Sequence, residues 1–470
     1  MWVFLSSLFA TSLYAAAVFF AWRAAATART PQGSVAWVVF LLALPFVAVP
    51  LYLYFGDHRF HGYRTARREA KQVIARIRSE AILHAPVGDS SSINFAPFEY
   101  CAHLKVMRGN DMRLLIDGPE SFEAIFEAVD TAQYYILAQF YILRNDGLGR
   151  EFQRRLCAAA RRGVHVRLLI DAVGSIGLPE HYCDLMRKEG IEVIDRRTAR
   201  GPRFRFQLNF RNHRKTVIVD GHRGFTGGVN VGDEYMGRSP SFGYWRDTFV
   251  ELSGPVVPQL QLIFAEDWHW ATGKPLINAL NWTTPPAGRD ANGLIVATGP
   301  GDLSETGNLL YFSAIAAARE RIWIATPYHV PGIDIVTALS HAALRGVDVR
   351  IIVTDAFDHI IPWLAAFAYF DELREVGVRF YRYTQGFMHQ KVFLVDDELA
   401  AVGTMNFDNR SFLLNFETMA LFFDRDFAGE VAEMLERDLA DSYEMVMSLR
   451  EQPAYIRFGA PLARLLSPLL

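Results

Sequence analysis

Apolar and polar positions follow two regimes along this chain. The first is continuous. Met1 to Trp22 is an uncharged, mostly apolar run, and Val35 to Phe55 is another. Each is long enough, at 1.5 Å per residue, to cross roughly 30 Å of hydrocarbon. The first run lacks a basic leader and a clear cleavage site, which favours an anchor over a signal peptide. The second carries no charge over twenty-one residues, which argues against a buried core helix. Pro45 and Pro50 predict a kink there, a feature membrane helices tolerate. Residues 1–56 are therefore predicted to form a two-helix transmembrane hairpin.

The second regime begins after a basic juxtamembrane segment and linker, residues 57–100, whose stretch Ala85 to Ala96 is rich in Ser, Gly and Pro. From there short apolar runs alternate with helical patterns, and the series occurs twice. YYILAQFYIL from Tyr134 corresponds to RIWIATPYHV from Arg321. RGVHVRLLIDA from Arg162 corresponds to RGVDVRIIVTDA from Arg345, and LMRKEGIEVI from Leu185 to LREVGVRFY from Leu373. Each reads as a helix end, a Gly stop and a strand. The prediction is an α/β fold of two pseudo-symmetric halves, residues 101–272 and 273–470, with mixed, largely parallel central sheets.

Each half ends in the same five residues. His213, Lys215, Asp220, Gly227 and Asn230 form one set, and His389, Lys391, Asp396, Gly403 and Asn406 the other. Lys follows His by two residues, Asp by seven, Gly by fourteen and Asn by seventeen. At roughly one in twenty per match, four matches after a given His arise by chance about once in 10^5. A strand would put His and Lys of each set on one face. Asp220-Gly221 is a hairpin signal, and Asp396-Asp397 stands at the same point. The return strand would bring Asn to the same spot, with Gly allowing close backbone approach. One carboxylate then opens a later strand in each half, Asp247 before Thr248 and Glu417 before Thr418. A carboxylate on Nδ1 fixes an imidazole tautomer and leaves Nε2 to react. The order along the chain assigns Asp247 to His213 and Glu417 to His389.

Composition narrows the chemistry. The chain has 470 residues, 51% hydrophobic and 21% charged, with a net charge of -3. That charge argues against a general nucleic-acid binder. Cys101, Cys157 and Cys183 show no metal-ligand spacing and read as reduced thiols. Two imidazoles, two ammonium groups and two amides suit phosphodiester exchange through a phosphohistidine. One imidazole attacks phosphorus and the other protonates the leaving oxygen. Lys215, Lys391, Asn230 and Asn406 would hold the non-bridging oxygens. Neither a metal nor a cofactor is expected. The turn positions of Asp220 and Asp396 point to organising the loop before any direct chemistry.

The doubled HxKxxxxD pattern resembles the phospholipase D superfamily. Nearly the full length is similar to the bacterial cardiolipin synthases of that superfamily. The likeness includes the N-terminal RTPQGSVAWVVFLLALPF, the ILAQFYIL strand, the GGVN and GTMN tails, NFE and the terminal SPLL. The resemblance implies one active site between the halves, His213 as nucleophile and His389 as general acid and base. It also implies transfer of a phosphatidyl group between two phosphatidylglycerol molecules, giving cardiolipin and glycerol. The residues alone leave open a membrane-bound phospholipase D hydrolase or headgroup exchange with another alcohol, and they leave the oligomeric state open.

Basic residues set the remaining expectations. Arg59, Arg64, Arg67, Arg68, Lys71, Arg76 and Arg78 follow the second apolar run, while Arg23 and Arg29 lie between the runs. The positive-inside bias then places the body in the cytoplasm of a multi-pass inner-membrane protein, on anionic lipid headgroups. Arg196, Arg197, Arg200, Arg203, Arg205, Arg211 and Arg214 interleave with Phe204, Phe206 and Phe210. That stretch fits lipid headgroups, a nucleic-acid backbone or a solvated loop. Leu462, Leu465, Leu466, Leu469 and Leu470 form an apolar stripe suited either to the body or to the bilayer.

Overall fold

A computed structural model describes residues 2–27, 31–56, 71–87, 91–195, 198, 211–302 and 304–470. Arg29, Arg59, Arg64, Arg67, Arg68, Arg196, Arg197, Arg200, Arg203, Arg205 and the three interleaved phenylalanines lie outside them. The chain divides into an N-terminal helical unit and a body that carries both five-residue sets.

The N-terminal unit contains α1 (Trp2–Thr27), α2 (Pro31–Ala43) and α3 (Pro45–Phe55). Among the described residues, only the Phe4–Thr27 stretch of α1 is long and apolar enough to cross a membrane. The second predicted span is broken. Leu44 leaves helical geometry with φ -134 and ψ 60, and Pro45 starts the next helix. Proline offers no N–H to the preceding turn and disfavours helical backbone in the residue before it, so a kink becomes an interruption. Ala17, Ala21 and Ala24 line one face of α1 and are buried with Leu41, Ala48, Val49 and Tyr52. Such small residues allow close helix approach.

The body is built on one continuous mixed sheet that reads nearly the same from its centre outward in both directions. The centre is the antiparallel pair Met107–Ile116 and Ala291–Thr298. On one side follow Thr248–Ser253, Arg223–Gly227, Thr216–Val219, Tyr135–Phe140, His165–Ile170 and Glu192–Ile194. On the other follow Asn415–Phe423, Leu399–Gly403, Val392–Val395, Arg321–Ala325, Asp348–Thr354 and Arg379–Tyr383, with Ser442–Glu444 added at the edge. The two α/β halves are present, but the sheet is not largely parallel. Along this order parallel pairing is confined to three strands of each half, where helices cross over, and off it the short strand Arg211–Asn212 pairs in parallel with Asn415–Phe423. The inner strands return through short turns or join the halves, and those pairs are antiparallel. A tight turn can only reverse a strand, whereas a parallel neighbour needs a long crossover.

Helices Val257–Thr272 and Arg425–Ala440 occupy matching places, each following the carboxylate-bearing strand of its half. The helix Lys71–Leu83 presents Val73, Ile77 and Ala81 at i, i+4 and i+8 to the main core, so this part of the basic segment docks on the body.

Candidate active site

Both predicted hairpins are present. Thr216–Val219 turns through Asp220 into Arg223–Gly227, and Val392–Val395 turns through Asp396 into Leu399–Gly403. Asp220 and Asp396 both have left-handed backbone, φ 53 and 49. Their carboxylates face away from the histidines. Asp220 accepts the backbone N–H groups of Gln133, Tyr134 and Tyr135 at 2.7–2.9 Å. Asp396 does the same for Arg319, Glu320 and Arg321. Each therefore pins the start of the first parallel strand of its half, Tyr135–Phe140 or Arg321–Ala325.

His213 and Lys215 sit in the extended segment just before their strand, as do His389 and Lys391. Each segment crosses to the other half. Arg211 and Asn212 pair in parallel with Asn415 and Phe416, and the His213 N–H donates to Phe416 O at 3.0 Å. Gly386 to Met388 pair with Tyr244 to Arg246, and the His389 N–H donates to Arg246 O at 2.7 Å. One further step along each register sets His213 beside Glu417 and His389 beside Asp247. Nδ1 of His213 lies 3.0 Å from Glu417 Oε2, and Nδ1 of His389 lies 2.9 Å from Asp247 Oδ2. The pairing expected from chain order is thus reversed. Each histidine takes its carboxylate from the opposite half.

Nδ1 of His213 also lies 3.1 Å from Thr404 O, so both neighbours are acceptors and the ring hydrogen belongs on Nδ1. That leaves Nε2 of His213 as a base or nucleophile. Burial lowers the His213 imidazole to about 4 despite Glu417. Burial, then Lys391 and Lys215, push His389 well below its ordinary value. Lys215 is lowered by burial to about 7 and Lys391 to about 8. Both ammonium groups are fully buried, and each donates to the carbonyl of its own motif histidine, Lys215 at 2.6 Å.

The two asparagines differ. Asn230 accepts from Ile142 N at 3.0 Å and donates to Tyr235 Oη at 2.9 Å, so its amide supports the wall. Asn406 Oδ1 is buried without a hydrogen-bond partner. A buried amide oxygen in that condition marks a place for a ligand hydrogen-bond donor.

His213, His389, Asn230 and Asn406 open on a single cleft of about 600 Å³. Its wall includes groups the repeat could not reveal. Tyr141 meets the His213 ring edge-on at 5.0 Å between centroids, and Trp245 lies 5.3 Å from His389. Tyr328 donates to Asp358 at 2.5 Å. Arg211 and Arg410 line the His213 side of the chemistry, where the equivalent positions of the other half hold Phe387 and Glu234. Tyr141 and Tyr328 fall at the same place in the two corresponding strand runs, but Trp245, Asp358, Arg211 and Arg410 have no match in the other half, so internal repetition carries no trace of those four. Among the described residues, no three His, Cys, Asp or Glu side chains converge as a metal site.

The arrangement suits in-line exchange at phosphorus, with one neutral imidazole to attack, a second imidazole to handle the leaving proton, and ammonium groups to offset charge. Comparison with known proteins gives the family. Residues 125–268 and 311–439 match a domain family described as cardiolipin synthase, PLD-like domain. A cardiolipin synthase A of Pseudomonas entomophila strain L48 is 43% identical over 454 residues, covering 94% of each chain. One from Pseudomonas aeruginosa strain LESB58 is 42% identical over 460 residues, covering 95% of this chain and 93% of the relative. The crystal structure of a phosphatidylserine synthase from Haemophilus influenzae Rd KW20 has the same fold, with a TM-score of 0.62, 14% identity, and coverage of 80% of this chain and 99% of that one.

Proposed function

The chain belongs to the phospholipase D-like cardiolipin synthase family, and from that premise we propose the reaction course and the role of each residue. It is a phosphatidyltransferase that joins two phosphatidylglycerol molecules into cardiolipin and releases glycerol. The observation that carries the assignment of roles is the crossed pair of histidine–carboxylate contacts in one cleft.

In the first step Nε2 of His213 attacks the phosphorus of one phosphatidylglycerol. A bond from phosphorus to nitrogen forms, the bond to the glycerol oxygen breaks, and that oxygen takes a proton from His389. In the second step a hydroxyl of another phosphatidylglycerol returns its proton to His389 and attacks phosphorus, and the bond to His213 breaks. One diester replaces another, so no nucleotide is consumed. The split of roles is supported by the His213 side, where Nδ1–H is held by two acceptors, Glu417 Oε2 and Thr404 O, and Nε2 is left to attack. The donor phosphate brings negative charge beside His389 and raises its affinity for a proton, while Asp247 stabilises the imidazolium. Lys215 and Lys391 offset the charge of the transition state, and the open oxygen of Asn406 accepts from a substrate hydroxyl.

The apolar α1 helix and the family are consistent with membrane association. Its direction follows from the basic residues after Phe55, which favour a body on the cytoplasmic side of the inner membrane, with both apolar runs embedded. The substrate is an anionic phospholipid rather than nucleic acid.

Purified protein given only phosphatidylglycerol is expected to yield cardiolipin and glycerol in about equal amounts, with little phosphatidic acid. Orientation of a bound lipid hydroxyl can contribute ~7–11 kcal/mol over a random encounter, enough to outcompete water. Mainly phosphatidic acid at every lipid density would make the protein a hydrolase, and a product carrying an added alcohol in place of cardiolipin would make it a headgroup exchanger.

A further inference from the structure

The C-terminal stripe is resolved by the body into two faces. Helix Ala454–Arg464 buries Ile456, Ala460 and Ala463 on the body, spaced four and three residues apart. Tyr455, Phe458, Leu462 and Leu465, spaced three, four and three, lie on the roughly opposite face. They are 64%, 65%, 67% and 76% exposed. A soluble surface seldom leaves such a row of large apolar side chains uncovered.

The helix that carries this face adjoins one that reaches the catalytic cleft. The helix packs along Ile360–Glu375, whose first residues Ile360 and Ile361 are exposed and line the cleft. The segment after the helix is fastened by Ser467, which accepts from Tyr369 Oη at 2.9 Å and through its carbonyl from Asn409 at 3.1 Å. That fastening delivers Leu469 and Leu470 to the cleft wall. Exposed apolar side chains thus stand on this helix, and Ile360, Ile361, Leu469 and Leu470 stand in the wall of the cleft itself.

The charge of the helix is one-sided. The helix has no acidic residue, Arg457 lies over the Phe458 ring at 4.9 Å, and Arg464 lies over Tyr369 at 4.8 Å and 3.9 Å from Glu372 of the neighbouring helix. Long basic side chains beside an exposed apolar row suit an anionic interface, with the rings among acyl chains and the guanidinium groups at the phosphates.

We propose that the Tyr455–Leu465 face and the adjoining Ile360–Ile361 corner form a docking surface for an anionic phospholipid bilayer, through which lipid passes sideways into the cleft. The proposal deepens the reading above and rests on a lipid substrate. It gives the body its own contact with the bilayer, separate from the N-terminal helices.

The test uses the full-length protein in phosphatidylglycerol-containing vesicles. Cys101, Cys157 and Cys183 are buried, so Leu462→Cys can carry a single environment-sensitive fluorophore. Brominated lipid is expected to quench it and aqueous iodide is not, even at one protein copy per vesicle. Full iodide access overturns the proposal, as does shielding that appears only at high protein density, which would mean a second copy covers the face. The double variant Phe458→Asp, Leu462→Asp is expected to lose tenfold or more of cardiolipin formation from bilayers. With monomeric short-chain phosphatidylglycerol in detergent it should stay within twofold of the parent. Equal loss on both substrates makes the face structural and overturns docking. If the parent protein forms no cardiolipin from either substrate, the enzymatic reading fails, and the quenching result still decides the docking surface.

Discussion

His213 and His389 meet their carboxylates at nearly the same distance, 3.0 and 2.9 Å, yet the two carboxylates keep different company. Glu417 also accepts the Thr404 hydroxyl at 2.5 Å and the Asn415 amide at 3.1 Å. Burial would raise it, but His213, Lys215 and Thr404 outweigh burial and hold it below the ordinary carboxylate range. Asp247 has the Thr248 N–H at 2.8 Å and the Trp245 indole at 3.3 Å, and burial pushes it up to about 6. The position that supplies the Thr404 hydroxyl in one half is Gly228 in the other, where a Cβ would fall 1.9 Å from Asp247 Oδ1. A firm anion holds one imidazole by its Nδ1–H and leaves Nε2 to attack, while burial keeps that ring neutral. A carboxylate close to sharing a proton suits an imidazole that must gain and lose one. Duplication built the geometry twice, and under the proposed roles a few unmatched neighbours would divide it into two jobs.

The sharpest way to break this comparison is to remove the histidines one at a time. His213→Ala is expected to abolish both turnover and any covalent phosphatidyl label. His389→Ala should lose about 10^2–10^4-fold in cardiolipin formation, the usual worth of general acid–base help. A phosphodiester with an activated aryl leaving group needs no acid, so with it His389→Ala should again form the covalent intermediate and His213→Ala should not. The opposite pattern, measured by acid-quench labelling, exchanges the two roles.

A second experiment tests the crossing itself. In double-mutant cycles on turnover, His213 should couple with Glu417, and His389 with Asp247, each by about 0.5–3 kcal/mol. The single variants Glu417→Ala and Asp247→Ala are expected to lose roughly 10–10^3-fold. Coupling of His213 with Asp247 instead would restore the pairing that chain order suggests.

That pairing shows where sequence reading stops. Repetition identifies His, Lys, Asp and Asn in each half, because the same spacing recurs. It also places the turns at Asp220 and Asp396, because Asp there tolerates a left-handed backbone. It cannot say whether a carboxylate serves its own half, since that depends on Arg211 and Asn212 pairing with residues about two hundred positions away. The break of the second apolar run at Leu44 was legible only as a kink, because proline does not announce whether the helix resumes in line. Trp245, Asp358 and Arg410 had no signal at all, being present in one half only.

The buried arginines offer a third test, on stability. Arg214 pairs with Asp267 at 2.5 Å, and Arg246 holds Asp438 with two donors at 2.7 and 2.9 Å. The two arginines stand at different places in the repeat yet each reaches a backbone carbonyl next to the chemistry, Glu417 O and Asp247 O. Without Arg214, Asp267 still accepts from Gln139 and Asn212. Without Arg246, Asp438 keeps the Gln390 amide as its side-chain donor among the described residues. Arg246→Met should therefore cost about 3–5 kcal/mol, the range for stranding a buried charge. Arg214→Met should cost about 1–3 kcal/mol. Thermal unfolding in detergent orders them, and an equal drop would mean that Gln139 and Asn212 do not support Asp267.

The smallest expected difference concerns Asp220 and Asp396, which the family motif places beside the catalytic residues. Three backbone N–H groups converge on each carboxylate, and none comes from the cleft. Asparagine tolerates the same left-handed backbone but turns one charged acceptor into a neutral amide with a donor face. Asp220→Asn and Asp396→Asn should each lower stability by about 1–2 kcal/mol, because hydrogen bonds to a charged acceptor are worth more than neutral ones. Turnover of the folded fraction should remain within about threefold, since neither side chain touches the reacting groups. The two effects should match closely, because here, unlike at the carboxylates beside the histidines, both halves use the same three donors in the same geometry. A hundredfold fall in turnover with unchanged unfolding temperature, in either variant, would put that aspartate into the chemistry and end its reading as the pin of the first parallel strand of its half.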